Sequence, residues 1–178
     1  MKNLIIFILL LTTSFVVSQE KYITKKGIIK FEASVPSFEE VKAKNSTVTA
    51  ILNADNGEFA ALALMKGFRF KNALMEEHFN ENYVESDDYP KATFKGKLID
   101  FDKNNLKEEY SIKGILTLHG KSKDLSVTGK LSKKDNTILI SSSFKTKPED
   151  FNIKIPGIVS KKIAKDILVS LNFDLQKK

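Results

Sequence analysis

The chain has 178 residues, 42% of them hydrophobic, with 29 basic and 22 acidic side chains and no cysteine. The missing cysteines exclude disulfides and thiolate metal sites, and the length suits one domain with a sizeable core. The net charge of +7 favours weak attraction to anionic surfaces, yet Arg69 is the one arginine, which argues against nucleic acid as the partner.

Residues 1–18 have the three parts of a secretory signal peptide: Lys2 as a positive start, an apolar run over 4–17, and Val16 and Ser18 at the small-residue positions before a cut ahead of Gln19. A membrane anchor is the alternative, but the run is shorter than the ~20 residues a span needs, and Thr12, Thr13 and Ser14 interrupt it. A periplasmic or secreted location is therefore expected, with residues 19–178 forming a single β-barrel domain.

Period-two alternation dominates from residue 27 onward. Val48, Ala50 and Leu52 alternate with Thr47, Thr49 and Ile51; Leu125, Val127, Gly129 and Leu131 alternate with Ser126, Thr128 and Lys130. Ile167, Val169, Leu171, Phe173 and Leu175 repeat the pattern near the end. One apolar and one wet face marks antiparallel strands around a single core. About eight strands are predicted, at 27–34, 46–54, 58–65, 67–71, 91–101, 107–118, 123–132 and 137–147, and a segment at 166–175 would make a ninth. Asn56-Gly57 fits a tight hairpin turn, since both positions tolerate positive φ, and 102–105, 119–123 and 133–136 read as further hairpin loops. An all-β, closed antiparallel barrel of about eight strands with one or two short helices follows, because closure removes exposed edges.

Three segments break the alternation. Residues 37–44, "SFEEVKAK", read as a short helical turn with Ser37 as cap and Glu40 three positions on. Residues 73–83 would stack Met75, Phe79 and Tyr83 on one helical face and align Glu77, Glu81 and Glu85 on another, with Asn72 as N-cap. Residues 159–165, after Pro156-Gly157, are a weaker helical candidate.

The stretch 70–96 gathers one of the two histidines and many of the acids, so it is the place to look for chemistry. Its acids read as a solvated face, since a calcium loop needs a Gly at its bend and none lies between Gly67 and Gly96. His78 and His119 are the only imidazoles, and zinc without cysteine would need both and a carboxylate. No His-Glu-x-x-His, Gly-x-Ser-x-Gly or phosphate-cradling glycine loop is present. No catalytic residue, metal or cofactor is expected. An eight-stranded interior can be filled by side chains or hold one small ligand. Ala50, Ala61, Ala63, Gly96, Gly114 and Gly129 could leave room for that ligand or simply ease twist and packing, and the pattern leaves both open.

The stretch "FKNALMEEHFNENYVESDDYPKATFKGKL", followed by "YSIKGILTLHGKSKDLSVTGKL", resembles the YceI-like family of bacterial polyisoprenoid-binding proteins with a lipocalin-like barrel. The likeness runs from about Gly27 to Leu175 and is most specific over 73–94 and 114–127. Many members carry a His shortly after the first strand, where this chain has "KFEASVPSFEEV", and "NGEFAALALMKGFRF" replaces a longer segment. The resemblance implies an eight-stranded barrel whose pore holds a long isoprenoid or similar amphiphile, export to the periplasm, and no catalysis.

The reading is an exported, non-catalytic carrier or store, with Leu64, Phe68, Phe70, Met75, Phe79, Phe94, Leu98, Leu116, Leu118 and Phe144 as candidate lining. Expected partners are a long-chain isoprenoid, a quinone or another amphiphilic lipid, and no nucleic acid; weak contact with an anionic membrane surface and a homodimer are further candidates. Two rivals remain: a hydrolase using His78 or His119 with a carboxylate, and an envelope interaction protein whose filled barrel acts through its basic surface.

Overall fold

The structure, a computed structural model, describes residues 19–36 and 38–178. The predicted signal peptide and the predicted cap Ser37 lie outside these residues. In chain order the elements are β1 (Lys21–Ser34), β2 (Lys42–Asn53), β3 (Glu58–Leu64), β4 (Arg69–Phe70), α1 (Ala73–His78), β5 (Lys91–Leu98), β6 (Glu109–Leu118), β7 (Lys121–Lys134), β8 (Thr137–Thr146) and β9 (Ile163–Lys177). Eight strands close an antiparallel ring in the order β1-β9-β8-β7-β6-β5-β3-β2 and back to β1, while the two-residue β4 pairs with the start of β2. The expected closed barrel with one short helix is therefore present.

Closure depends on β1, which pairs with both β2 and β9 and starts six residues earlier than the alternation suggested. Its pairing with β2 slips on either side of Gly27. Lys25 and Lys26 both point to solvent there, as do Ser46 and Thr47 in the facing strand. Such bulges re-aim every side chain beyond them. Just past the slip in β2, Asn45 is fully buried. Its amide donates to the Leu64 carbonyl at 2.9 Å and its Oδ1 accepts from the Thr47 N–H at 2.9 Å. That pays for burying the amide and ties β2 to the place where β3 ends.

Residues 38–44 do not form the helical turn predicted for 37–44. Val41 donates its N–H to Ser34 Oγ at 3.1 Å and accepts from Ala33 N at 2.8 Å, so the β1–β2 ladder continues and β2 starts at Lys42. Inward Phe31 faces Ala43, and Glu32 faces Lys42; these cross-strand pairs outweigh a single cap. Residues 157–162 are turns rather than a third helix. At the hairpin after β2, only Gly57 of Asn56-Gly57 takes positive φ, and Gly57 N–H closes a longer loop on the Asn53 carbonyl at 2.9 Å.

The two barrel ends differ. At one end Tyr22, Leu52, Leu98, Tyr110, Ile138 and Leu175 are buried against one another, and the loop after β5 lays Phe101 on Tyr110 at 5.6 Å between ring centres. Ion pairs staple this end. Glu20 meets Lys103 at 3.2 Å and Lys177 at 2.8 Å, and Asp55 meets Lys103 at 2.6 Å. The hydrogen bonds from Lys177 and Lys103 pull the Glu20 carboxyl down to about 2. A depressed carboxyl stabilises the fold above its unfolded value and loses that contribution as the pH falls through the folded one. The melting-temperature gap between the native chain and Glu20→Gln should thus be full at pH 5 and above and vanish from pH 4.5 toward 2. A gap independent of pH would show that Glu20 does not act through its charge.

Candidate functional site

The other half of the barrel encloses a cavity of about 240 Å³ with an apolar wall. Its floor is aromatic: Phe59 packs on Phe94 at 6.1 Å and on Phe173 at 5.9 Å between ring centres. The walls carry Ile29 and Phe31 from β1, Ala61 and Ala63 from β3, and Val169 and Leu171 from β9. The cavity reaches the surface beside half-exposed Ile155 and Ile163 and exposed Lys147, at the ends of the β8–β9 connection.

Small residues make this room unequally. Ala61 and Ala63 stand on the wall, whereas Ala50 is fully buried away from it. The glycines leave no space. Gly96 and Gly114 face each other across β5 and β6, and a Cβ on either would lie 2.7 Å from the tip of Phe94. The ring covers a notch that only a glycine pair provides. Gly129 is covered in the same way by Ile112, whose Cδ1 would be 2.5 Å from an added Cβ.

Of the residues singled out from the sequence, Phe68, Phe79, Phe94, Leu116, Leu118 and Phe144 stand on the wall, and the other four do not. Leu64 points outward and is 48% exposed, because Ala63, its neighbour in an all-apolar "FAALAL", takes the inward position. Leu98 points inward but is fully buried in the packed half. Phe70 backs the wall through Phe31 at 5.6 Å and Phe79 at 5.1 Å. Met75 is half-buried on α1 and does not reach the lumen. The alternation over 125–127 and 167–173 already marked Leu125, Val127, Ile167, Val169 and Leu171 as one apolar face, and all of them line the cavity. Phe31, Phe151 and Lys147 also line it, and no pattern in the sequence singled them out.

A cover closes much of the mouth. Asn72 caps α1 as predicted, its Oδ1 accepting from Leu74 N at 2.9 Å. Glu76 bonds Arg69 at 2.7 Å and the Phe70 N–H at 3.0 Å, which fastens α1 to β4. After His78 the helix widens into a π turn over Phe79–Tyr83. The wider turn brings Phe79, Tyr83 and Val84 over the lumen and leaves Met75 behind, so the predicted three-residue stripe is split. Glu85 leaves the helix at φ 44° rather than continuing the row of Glu77 and Glu81.

His119, at the tip of the β6–β7 hairpin, latches this cover. Its Nδ1 lies 2.9 Å from the Phe151 carbonyl, in the 3₁₀ turn Pro148–Phe151, and its Nε2 lies 2.7 Å from Glu85 Oε2. Tyr89 packs edge-on against the ring at 4.4 Å. Both nitrogens face acceptors, so an imidazolium satisfies the two bonds while a neutral ring donates to one. The histidine–carboxylate pair that a hydrolase would need thus exists. Its second nitrogen, however, faces the Phe151 carbonyl rather than a space where a substrate could sit. His78 is exposed on α1, and no metal-holding group of His, Asp or Glu occurs among the described residues.

A family model described as the YceI-like domain matches residues 15–175. No curated protein matches the chain. Among solved structures, a polyisoprenoid binding domain from Saccharophagus degradans, implicated in plant cell wall breakdown, superposes with a TM-score of 0.76 at 12% identity, covering 90% of this chain and 100% of its own. BcnA of Burkholderia cenocepacia gives 0.71 at 15% identity, covering 84% and 95%. The YCEI protein of Campylobacter jejuni gives 0.61 at 18%, covering 81% and 88%. At these identities the likeness is one of fold.

The latch has a direct readout. Losing a charge-assisted hydrogen bond costs about 1.5–3 kcal/mol, so His119→Ala should speed amide hydrogen exchange across 79–86 and 148–153 by about tenfold or more. Exchange in β6 and β7 should barely change. Unaltered exchange in both covering segments would show that the histidine does not hold them together.

Proposed function

The chain belongs to the YceI-like family, and on that premise we propose that it is an exported carrier or store that holds an apolar-tailed amphiphile in its barrel and makes or breaks no bond. The observation that carries this reading is the apolar cavity, open beside the β8–β9 connection and stopped by an aromatic floor. Such a wall binds hydrocarbon by removing it from water, at ~0.8 kcal/mol per methylene, and gives a polar substrate nothing to bond. A polyisoprenoid or quinone tail suits it. Export agrees with the signal-peptide pattern of residues 1–18.

The partner that supplies the lipid is an anionic membrane surface. The β8–β9 connection forms part of the cavity's rim through Ile153, Ile155 and Ile163, and its tip, Ile158, is 90% exposed. Lys154, Lys161, Lys162 and Lys165 flank that tip in sequence, and all four are exposed. An apolar point within a basic collar suits the boundary between head groups and acyl chains, where each lysine adds ~1 kcal/mol on an anionic leaflet.

Native mass spectrometry of protein taken from its own host should show a bound mass that extracts into organic solvent as a lipid. A clean apo mass, unchanged after incubation with polyprenols and quinones, would overturn the carrier reading. The membrane step is tested separately. The protein should sediment with phosphatidylglycerol vesicles and not with phosphatidylcholine alone, and Lys161→Glu with Lys162→Glu should weaken that binding by about tenfold or more. Equal sedimentation of the native and double-variant proteins would overturn it.

A further inference from the structure

Among the described residues lining the cavity, the polar side chains are those of Tyr83, Ser142, Thr146 and Lys147. Lys147 is the sole Lys, Arg or His among the described residues lining the cavity. It follows directly on Thr146, the last inward residue of a column that β8 builds from Ser142, Phe144 and Thr146. Its side chain is half-exposed, and the carboxylate within reach, Glu149, lies 3.8 Å from Nζ and is itself 78% exposed. That separation is too long for a hydrogen bond. The other acid of this turn, Asp150, is held by Lys123, whose hydrogen bond pulls the Asp150 carboxyl below its ordinary range. Lys147 therefore lines the lumen's mouth with only a loose partner for its charge.

Topology makes the position matter. The packed half and the aromatic floor stop the cavity at its far side, so an amphiphile enters tail first and keeps its head at the rim. We propose that Lys147 is a head-group site and that the lumen selects amphiphiles with an anionic head, a carboxylate or a phosphate, over alcohols of the same tail. This rests on the carrier reading and adds the ligand's charge to it. The ammonium donates to the head-group oxygens in a partly shielded setting, where charge-assisted bonds exceed neutral ones. A neutral hydroxyl receives much less from it.

The test holds the tail constant. Palmitate, hexadecyl phosphate and hexadecanol compete against the neutral fluorophore N-phenyl-1-naphthylamine on the native protein, Lys147→Ala, Lys147→Glu and Lys145→Glu. The two anions should displace the probe at concentrations about five- to tenfold below the alcohol. Lys147→Ala should close that gap and Lys147→Glu should reverse it. Lys145→Glu, which changes the net charge equally from an exposed position on the same strand, should leave it intact. A preference for hexadecyl phosphate alone assigns the phosphate source, and a preference shared with palmitate assigns a general anion site. Displacement by all three at equal concentration, or a gap that survives Lys147→Glu, overturns the head-group site while leaving the carrier standing. If neither the fluorophore nor any competitor binds, the carrier reading falls and the head-group site with it.

Discussion

The strand β1 hydrogen-bonds to β2 on one side and to β9 on the other, and the ring it closes sets the width of the interior. Eight strands leave a bore that side chains only just fill, so side-chain size alone decides whether a given level is solid or hollow. The slip around Gly27 separates the two outcomes. Before it, Tyr22 and Thr24 point inward; beyond it, Phe31 and Ala33 do. Gly27 itself allows the crossing, because a Cβ there would lie 2.5 Å from the ring of Phe173. The levels nearest the chain ends are filled by Tyr22, Leu98, Tyr110 and Leu175. The opposite levels carry Ala33, Ala61, Ala63 and Ala92 and stay hollow.

A hollow barrel level needs a roof, and this one is assembled from separate stretches of chain. Phe31, Phe68, Phe70 and Phe79 form a cluster with ring centres 5.1–5.8 Å apart that glues the helical segment to the wall. His119 then joins the end of that segment to the 3₁₀ turn. Apolar packing and a polar latch thus act on different edges of one roof. The solid end is fastened differently, by Glu20, Asp55, Lys103 and Lys177 around the chain termini. Among the described residues charge lies outside both ends, and the one charged residue on the lumen's lining, Lys147, is exposed at the rim, as expected where burying an unpaired ion is costly.

Where alternation is clean, the sequence foretells the strand. The segments from β5 to β9, the N-cap at Asn72 and the helical 73–83 are all legible from period and cap chemistry. Where the alternation slips, it misleads: Lys25-Lys26 hides the first turns of β1, and "SFEEVKAK" imitates a capped helix because its pairing with 31–34 is a tertiary fact. The site is legible in part for the same reason. Phe94, Leu116 and Phe144 follow from strand parity, but "FAALAL" is apolar on both faces, and nothing local says that Ala63 rather than Leu64 turns inward. Phe31, Phe151 and Lys147 become neighbours of the lumen only when the ring closes.

The aromatic floor makes the lumen a blind bore, and this turns it into a ruler. Each methylene that fits beneath the rim adds ~0.8 kcal/mol, or roughly a fourfold longer residence. Once the tail touches Phe59 and Phe173, added carbons gain nothing from burial and stay outside in water. Residence time plotted against tail length should therefore climb steeply and then flatten. The length at which it flattens measures the depth of the bore in carbon atoms, and a lipid of that length is the longest this barrel can hide completely.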